Sequence, residues 1–165
     1  MTDEDLLLAV LNSAPVVDGS VIDELDGVAG GTFARRLGGS GSSPEVSRLR
    51  RVRAALHAVI RNPADADVAA LAAVLNQVVR TPQVTLAGVR WEVRAPAEDL
   101  LAVRVLIAWS DIVEKHPGRL RPCANVECNL FLVDHSRPGS AKWCSMTTCG
   151  NRMKARAYAR RTRSA

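Results

Sequence analysis

Apolar and polar positions recur with different periods along this chain, and each period predicts an element. Leu6, Leu7, Val10 and Leu11 share one helical face, so a short first helix is expected, with Asp3 to Asp5 placing negative charge in its first turn. A second short helix is expected from about Ser20 to Leu25. Residues 30–43, GGTFARRLGGSGSS, are rich in Gly and Ser and read as a loop or linker. Ser43-Pro44-Glu45 reads as a helix start, with a capping hydroxyl followed by Pro in the first position. Val46, Leu49, Val52, Leu56, Val59 and Ile60 then recur at helical spacing as far as Asn62-Pro63. Another helix is expected over 67–79, with Val68, Leu71, Leu75 and Val78 on one face. From Val84 the period drops to two. Val84 and Leu86, then Val89, Trp91 and Val93, alternate around Ala87-Gly88, which predicts a small β-hairpin. A long apolar helix follows Pro96 and runs to about Lys115, stopped by His116-Pro117-Gly118.

Composition sharpens this mainly helical picture. Of the 165 residues 47% are hydrophobic but only 4% aromatic, so the core is built from Leu, Val and Ala. Charge is unevenly placed. Residues 1–118 carry 12 Lys and Arg against 15 Asp and Glu, whereas residues 119–165 carry 10 against 2. An acidic body therefore precedes a basic module, and that asymmetry points to an anionic partner for the module. The first residues, MTDED, lack the basic start and apolar run of a secretory leader, and charge interrupts every apolar stretch short of a membrane span. A soluble cytoplasmic protein without membrane attachment is expected, and there thiols stay reduced.

The body holds no GxGxxG, P-loop or GxSxG, and no set of acid, base and nucleophile can be assembled. The chain is not expected to be an enzyme. His57, among Arg53, Ala54 and Ala58, reads as a structural histidine on a helix.

The chemistry lies at the other end. Cys123 and Cys128 are separated by four residues, and so are Cys144 and Cys149, with fifteen residues between the pairs. Two cysteine pairs flanking a loop supply the four thiolates of a tetrahedral Zn²⁺ site, with no position left for water, so the ion is expected to be structural. His135, between the pairs, is the alternative ligand. Five residues of α-helix turn a side chain through about 500°, roughly 140° net. Cys144 and Cys149 therefore cannot face one ion from a continuous α-helix. A turn is expected over 144–148, with Thr147 or Thr148 as cap and Cys149 near the start of the following helix. The positive end of that helix would favour the Cys149 thiolate.

The following helix is basic. Arg152, Arg156, Arg160 and Arg163 lie along one side, Lys154 and Arg161 lie on neighbouring rows, and Met153, Ala157 and Tyr158 are expected to face the module or the body. Asn151, Arg152, Lys154, Arg156, Arg160 and Arg161 are the candidate contacts to double-stranded DNA, the cations to phosphate and Asn151 or Arg152 to a base edge. Gly150 would allow close approach of a phosphate or of the zinc loop, and the competing reading has Asn151 bonding nearby backbone and Arg152 stacking on Trp143 or pairing with Asp134. Trp143 and Phe131 are expected to form the small core of the module.

WCSM at Trp143 to Met146, CGNR at Cys149 to Arg152 and the K-A-R of Lys154 to Arg156 resemble the CGNR zinc fingers. The resemblance extends upstream through Leu120 to Ala124, Cys128, Phe131, Asp134, Ser136 and Arg137, and covers about residues 119–161. Phe131 stands one position from the usual aromatic, and Ala141 replaces a common basic residue. Leu11-Asn12, Leu49-Arg50 and Leu75-Asn76 look like features of the ABATE domain that precedes such fingers in many members of this mostly bacterial family. The resemblance implies a DNA-binding regulator of transcription, located on the nucleoid. It would comprise a helical regulatory or dimerising domain at 1–118, which would take any small-molecule effector, and a treble-clef-like finger at 119–165. Three other roles compete: a zinc-stapled protein-interaction module, an RNA-binding protein, and a redox sensor that loses zinc on oxidation.

Overall fold

The computed structural model describes residues 1–163. Helix α1 (Asp3–Leu11) opens with a capping box, in which the Thr2 hydroxyl accepts from the Asp5 amide and the Asp5 carboxylate accepts from the Thr2 amide. Its Leu6, Leu7, Val10 and Leu11 are buried, as their spacing predicts. The helix expected from Ser20 to Leu25 does not form. A minimal hairpin, β1 (Val16–Val17) and β2 (Ser20–Val21), occupies the stretch. Asp18 and Gly19 make its turn with φ of 50° and 80°, the left-handed backbone that a two-residue hairpin needs.

The Gly- and Ser-rich stretch is likewise not all loop. Asp26 caps α2 (Gly27–Arg36), and only the segment from Leu37 to Ser42 lies outside a helix. Gly30 and Gly31 of α2 serve close packing. A Cβ on Gly30 would stand 2.5 Å from the Leu25 carbonyl oxygen and 2.8 Å from Val46. The buried Glu45 ties down the remaining loop, accepting from the Gly41 amide at 2.6 Å and the Ser40 hydroxyl at 3.1 Å.

Ser42, one residue ahead of the expected Ser43, caps α3 (Ser43–Arg61), which ends at Asn62. Val46, Leu49, Val52 and Leu56 point into the core. The next helix, α4 (Ala69–Leu75), is shorter than its apolar spacing suggests, because Val79 joins a strand ladder instead. Strands β3 (Val79–Thr85) and β4 (Gly88–Arg94) pair in register from Val79↔Arg94 to Thr85↔Gly88, a longer hairpin than the alternation marked. Helix α5 (Ala97–Lys115) packs on α1 and α3 and buries Leu101, Ala102, Val103, Val105, Leu106 and Ala108. Among the described residues, no helix is long and apolar enough to cross a membrane.

Strands β5 (Leu120–Pro122) and β6 (Phe131–Val133) bring the last third of the chain onto this body. Phe131 is fully buried and belongs to the body's core, not to a separate core of the cysteine module. The His57 ring lies 4.5 Å from its ring, and the Arg61 guanidinium lies 4.7 Å over it. Asn12, just past the end of α1, binds the Phe131 backbone on both sides. Its amide donates to the Phe131 carbonyl at 3.1 Å, and its side-chain oxygen accepts from the Phe131 amide at 2.7 Å. The Asn129 side chain donates to the Ala14 carbonyl, and Arg61 donates to the Asn129 carbonyl at 2.8 Å.

Candidate metal centre and basic helix

Cys123 follows β5 directly, and Cys128 closes the turn that leads towards β6. That turn is fixed by backbone bonds: the Cys123 amide to the Leu130 carbonyl, and the Cys128 amide to the Asn125 carbonyl, each at 2.8 Å. Cys144 and Cys149 are joined by an unusual element. A single π turn, Met146–Gly150, precedes helix α6 (Asn151–Arg163). Its Gly150 amide donates to the Ser145 carbonyl five residues back, at 2.9 Å. Cys144 stands ahead of this turn, beyond the extended Ser145, and Cys149 lies inside it, so no continuous α-helix, in which residues five apart diverge, joins the pair. The cap is Ser145, whose hydroxyl accepts from the Thr148 amide, in place of the expected Thr147 or Thr148.

The four Sγ atoms lie within 4.8 Å of one another. Cys128 and Cys144 are 3.7 Å apart, and so are Cys144 and Cys149. A tetrahedral ion with metal–sulfur bonds of about 2.3 Å needs sulfur–sulfur edges of about 3.8 Å. The donor set therefore fits a metal ion as it stands. His135 lies elsewhere, its Nε2 2.8 Å from the Glu4 carboxylate.

Burial first, then the neighbouring sulfurs, push the Cys144 thiol far above its ordinary range, and burial likewise raises Cys128. Four crowded thiols without a cation resist ionising together, which is the electrostatic demand that a metal ion meets. Cys149 differs. Burial works against its thiolate, but hydrogen bonds from Asn125 and the other cysteines outweigh burial and hold its pKa below the ordinary value. The direction matches the expectation from a helix N-terminus, but the cause is these bonds. Asn125 is fully buried, with its amide 3.6 Å from the Cys149 sulfur, and the Cys144 amide donates to the Cys123 sulfur at 3.5 Å. Such N–H···S bonds orient ligand sulfurs. Sequence reasoning passed over Asn125, whose only signal is an amide side chain inside the turn between two cysteines.

Residues 119–162 match the family model of the CGNR zinc finger. No curated protein matches the chain.

The CGNR residues themselves are placed as follows. Gly150 is buried, and a Cβ there would meet Met146 at 2.9 Å and Trp143 at 3.2 Å, so its role is to let those two side chains close over the π turn. Asn151 is exposed and its amide donates to the Thr147 carbonyl at 3.4 Å. Asp134 does not pair with Arg152. It is buried and takes Arg121 and the amides of Ser136 and Ala141 as partners, which fixes the loop before Trp143. Hydrogen bonding from Ser136, helped by Ala141 and Arg121, keeps the Asp134 carboxyl below its usual range against burial.

Along α6, Arg152, Lys154, Arg156, Arg160 and Arg161 are exposed. Arg156 reaches back to Glu127 at 2.6 Å, a solvated ion pair that neutralises one of the cations. Met153 and Ala157 are half-buried and Tyr158 faces solvent. The side chain of Arg163 lies outside the described residues.

Proposed function

We propose that this protein is a zinc-dependent regulator of transcription that binds double-stranded DNA through α6. One observation carries the reading: α6 grows out of the sulfur cluster. Cys149 lies in the π turn, and the helix that follows at once displays Arg152, Lys154 and Arg161 to solvent. Zn²⁺ suits four thiolates in a closed tetrahedral shell, which makes it a structural ion. When bound, it supplies folding free energy on the order of 10 kcal/mol to a segment with few apolar residues of its own.

The chain's residues do the rest. Cys123 and Cys128 would hold the ion from the turn after β5, Cys144 from just before the π turn and Cys149 from within it, in a treble-clef-like arrangement. Asn125 orients Cys149. Lys154, Arg161 and Arg152 neutralise phosphates, the sequence-independent part of binding. Asn151, at the helix start, is the base reader once it exchanges the Thr147 carbonyl for adenine. The helical body senses an effector or pairs two chains, and the protein acts by binding, not catalysis, on the nucleoid.

Anisotropy of a labelled duplex in a salt series tests this. The affinity of the zinc-loaded protein should fall steeply with salt. Lys154→Glu with Arg161→Glu should weaken binding at least tenfold and flatten the salt slope, by roughly one unit per lost contact. Unchanged affinity in the double variant would refute the assignment of α6.

A further inference from the structure

The four sulfurs of the cluster are not equivalent. Three of them accept N–H bonds: Cys149 from the Asn125 side chain at 3.6 Å, Cys123 from the Cys144 amide at 3.5 Å, and Cys128 from the Leu130 amide. Among the described residues, the Cys144 sulfur accepts from no N–H group. Its neighbours are the sulfurs of Cys128 and Cys149, each at 3.7 Å. A metal ion holds all four as thiolates. An N–H bond draws electron density from a thiolate and lowers its nucleophilicity. Cys144 is therefore the most nucleophilic of the four.

Access divides them as well. Cys123 and Cys149 are buried, with 7% and 3% exposure, whereas Cys128 and Cys144 are half-buried. A cleft of about 110 Å³ runs along Cys128, Cys144 and Cys149 and leaves Cys123 behind. That is several times the room one water needs, and far too little for a macromolecule. Ser145, Thr148 and Arg152 also line it, so it suits a small molecule that forms hydrogen bonds. Cys144 alone is both half-exposed on this cleft and without an N–H donor.

We propose that Cys144 is a site of oxidation by hydrogen peroxide, with Cys128 as its resolving partner, and that this oxidation expels the metal ion and releases α6. The Cys144 thiolate attacks one peroxide oxygen, the O–O bond breaks, and hydroxide leaves with the electron pair, giving a sulfenic acid. The Cys128 thiolate then attacks the Cys144 sulfur, the S–O bond breaks, and a second hydroxide leaves. Two thiolates are oxidised to one disulfide. One peroxide is reduced to two hydroxides, which solvent protonates. Cys149 stands as near, but it is buried and held by Asn125 inside the π turn, so the half-exposed Cys128 resolves. The two thiolates left are too few for the closed shell of Zn²⁺. The step rests on the reading that the ion orders α6, and it supplies the regulation of that order. Its test uses no DNA, so failure of the duplex assignment and failure of the oxidation are told apart.

Zinc-loaded, full-length protein is treated either with limiting iodoacetamide or with hydrogen peroxide. Peptide mass spectrometry maps the modified cysteines while a chromogenic chelator follows zinc. Iodoacetamide should label Cys144 about tenfold faster than Cys123 or Cys149. Peroxide should form the disulfide between Cys128 and Cys144 and release the zinc in step with it. Dithiothreitol followed by zinc should restore the starting protein. Even labelling of the four cysteines, a disulfide that excludes Cys144, or a chain that keeps its zinc in excess peroxide overturns the proposal.

Discussion

His57 shows how a single side chain joins the two parts of the molecule. Its Nε2–H donates to the Leu11 carbonyl at 2.8 Å, and its ring lies against Phe131 of the CGNR finger. Burial pushes its pKa below the ordinary 6.5, the charges of Arg61 and Arg53 push the same way, and the bond to Leu11 opposes them. The unfolded chain therefore takes up this proton more readily than the folded one. The stability that neutral His57 protects is complete above about pH 6.5 and is lost as pH falls through its lowered folded value. The melting temperature should drop between pH 7 and pH 5.5, and His57→Gln should flatten that slope. An unaltered slope in the variant contradicts this role. The cysteine cluster was legible in the sequence because thiol spacing is a chemical signal. Asn125 and Asn12 were not, because an asparagine that satisfies a sulfur or a strand edge looks like any other until the fold brings its partner near.

At the scale of elements, the junction between α1 and β6 depends on Asn12, which offers the Phe131 backbone the two bonds a neighbouring strand would offer. Asn12→Ala leaves a buried amide without its acceptor. It should cost about 1–3 kcal/mol in urea unfolding and make the Phe131 amide exchange with solvent much faster. Wild-type protection of that amide would mean that the two bonds do not hold the junction. Helices α1, α3 and α5 were legible because long periodic apolar stripes meet one another in the core. Helix α2 was hidden by its glycines, which read as flexible, although Gly30 is needed for contact with Leu25 and Val46. The β1–β2 hairpin is too short to show alternation. The π turn was visible only as a problem: the sequence excluded a continuous α-helix between Cys144 and Cys149, and an extended Ser145 followed by the π turn takes its place.

In the whole molecule, an acidic helical body carries a basic finger whose own apolar content is small. Phe131 lends the finger's one fully buried large side chain to the body, so among the described residues the finger is held by two means, its docking on α1 and α3 and its four sulfurs. The charge asymmetry was plain in the sequence. The docking was not, because it rests on contacts between residues more than a hundred positions apart. The central claim is that a metal ion on Cys123, Cys128, Cys144 and Cys149 orders α6 for duplex DNA. The most direct test removes the ion with a chelator in reducing buffer and follows duplex binding, metal content and circular dichroism together, with Cys144→Ser as the parallel variant. The protein should carry one zinc per chain, lose duplex binding when the zinc leaves, keep a helical body, and recover binding when zinc is returned. Metal-free protein or the Cys144→Ser variant binding the duplex with wild-type affinity and salt dependence would contradict it.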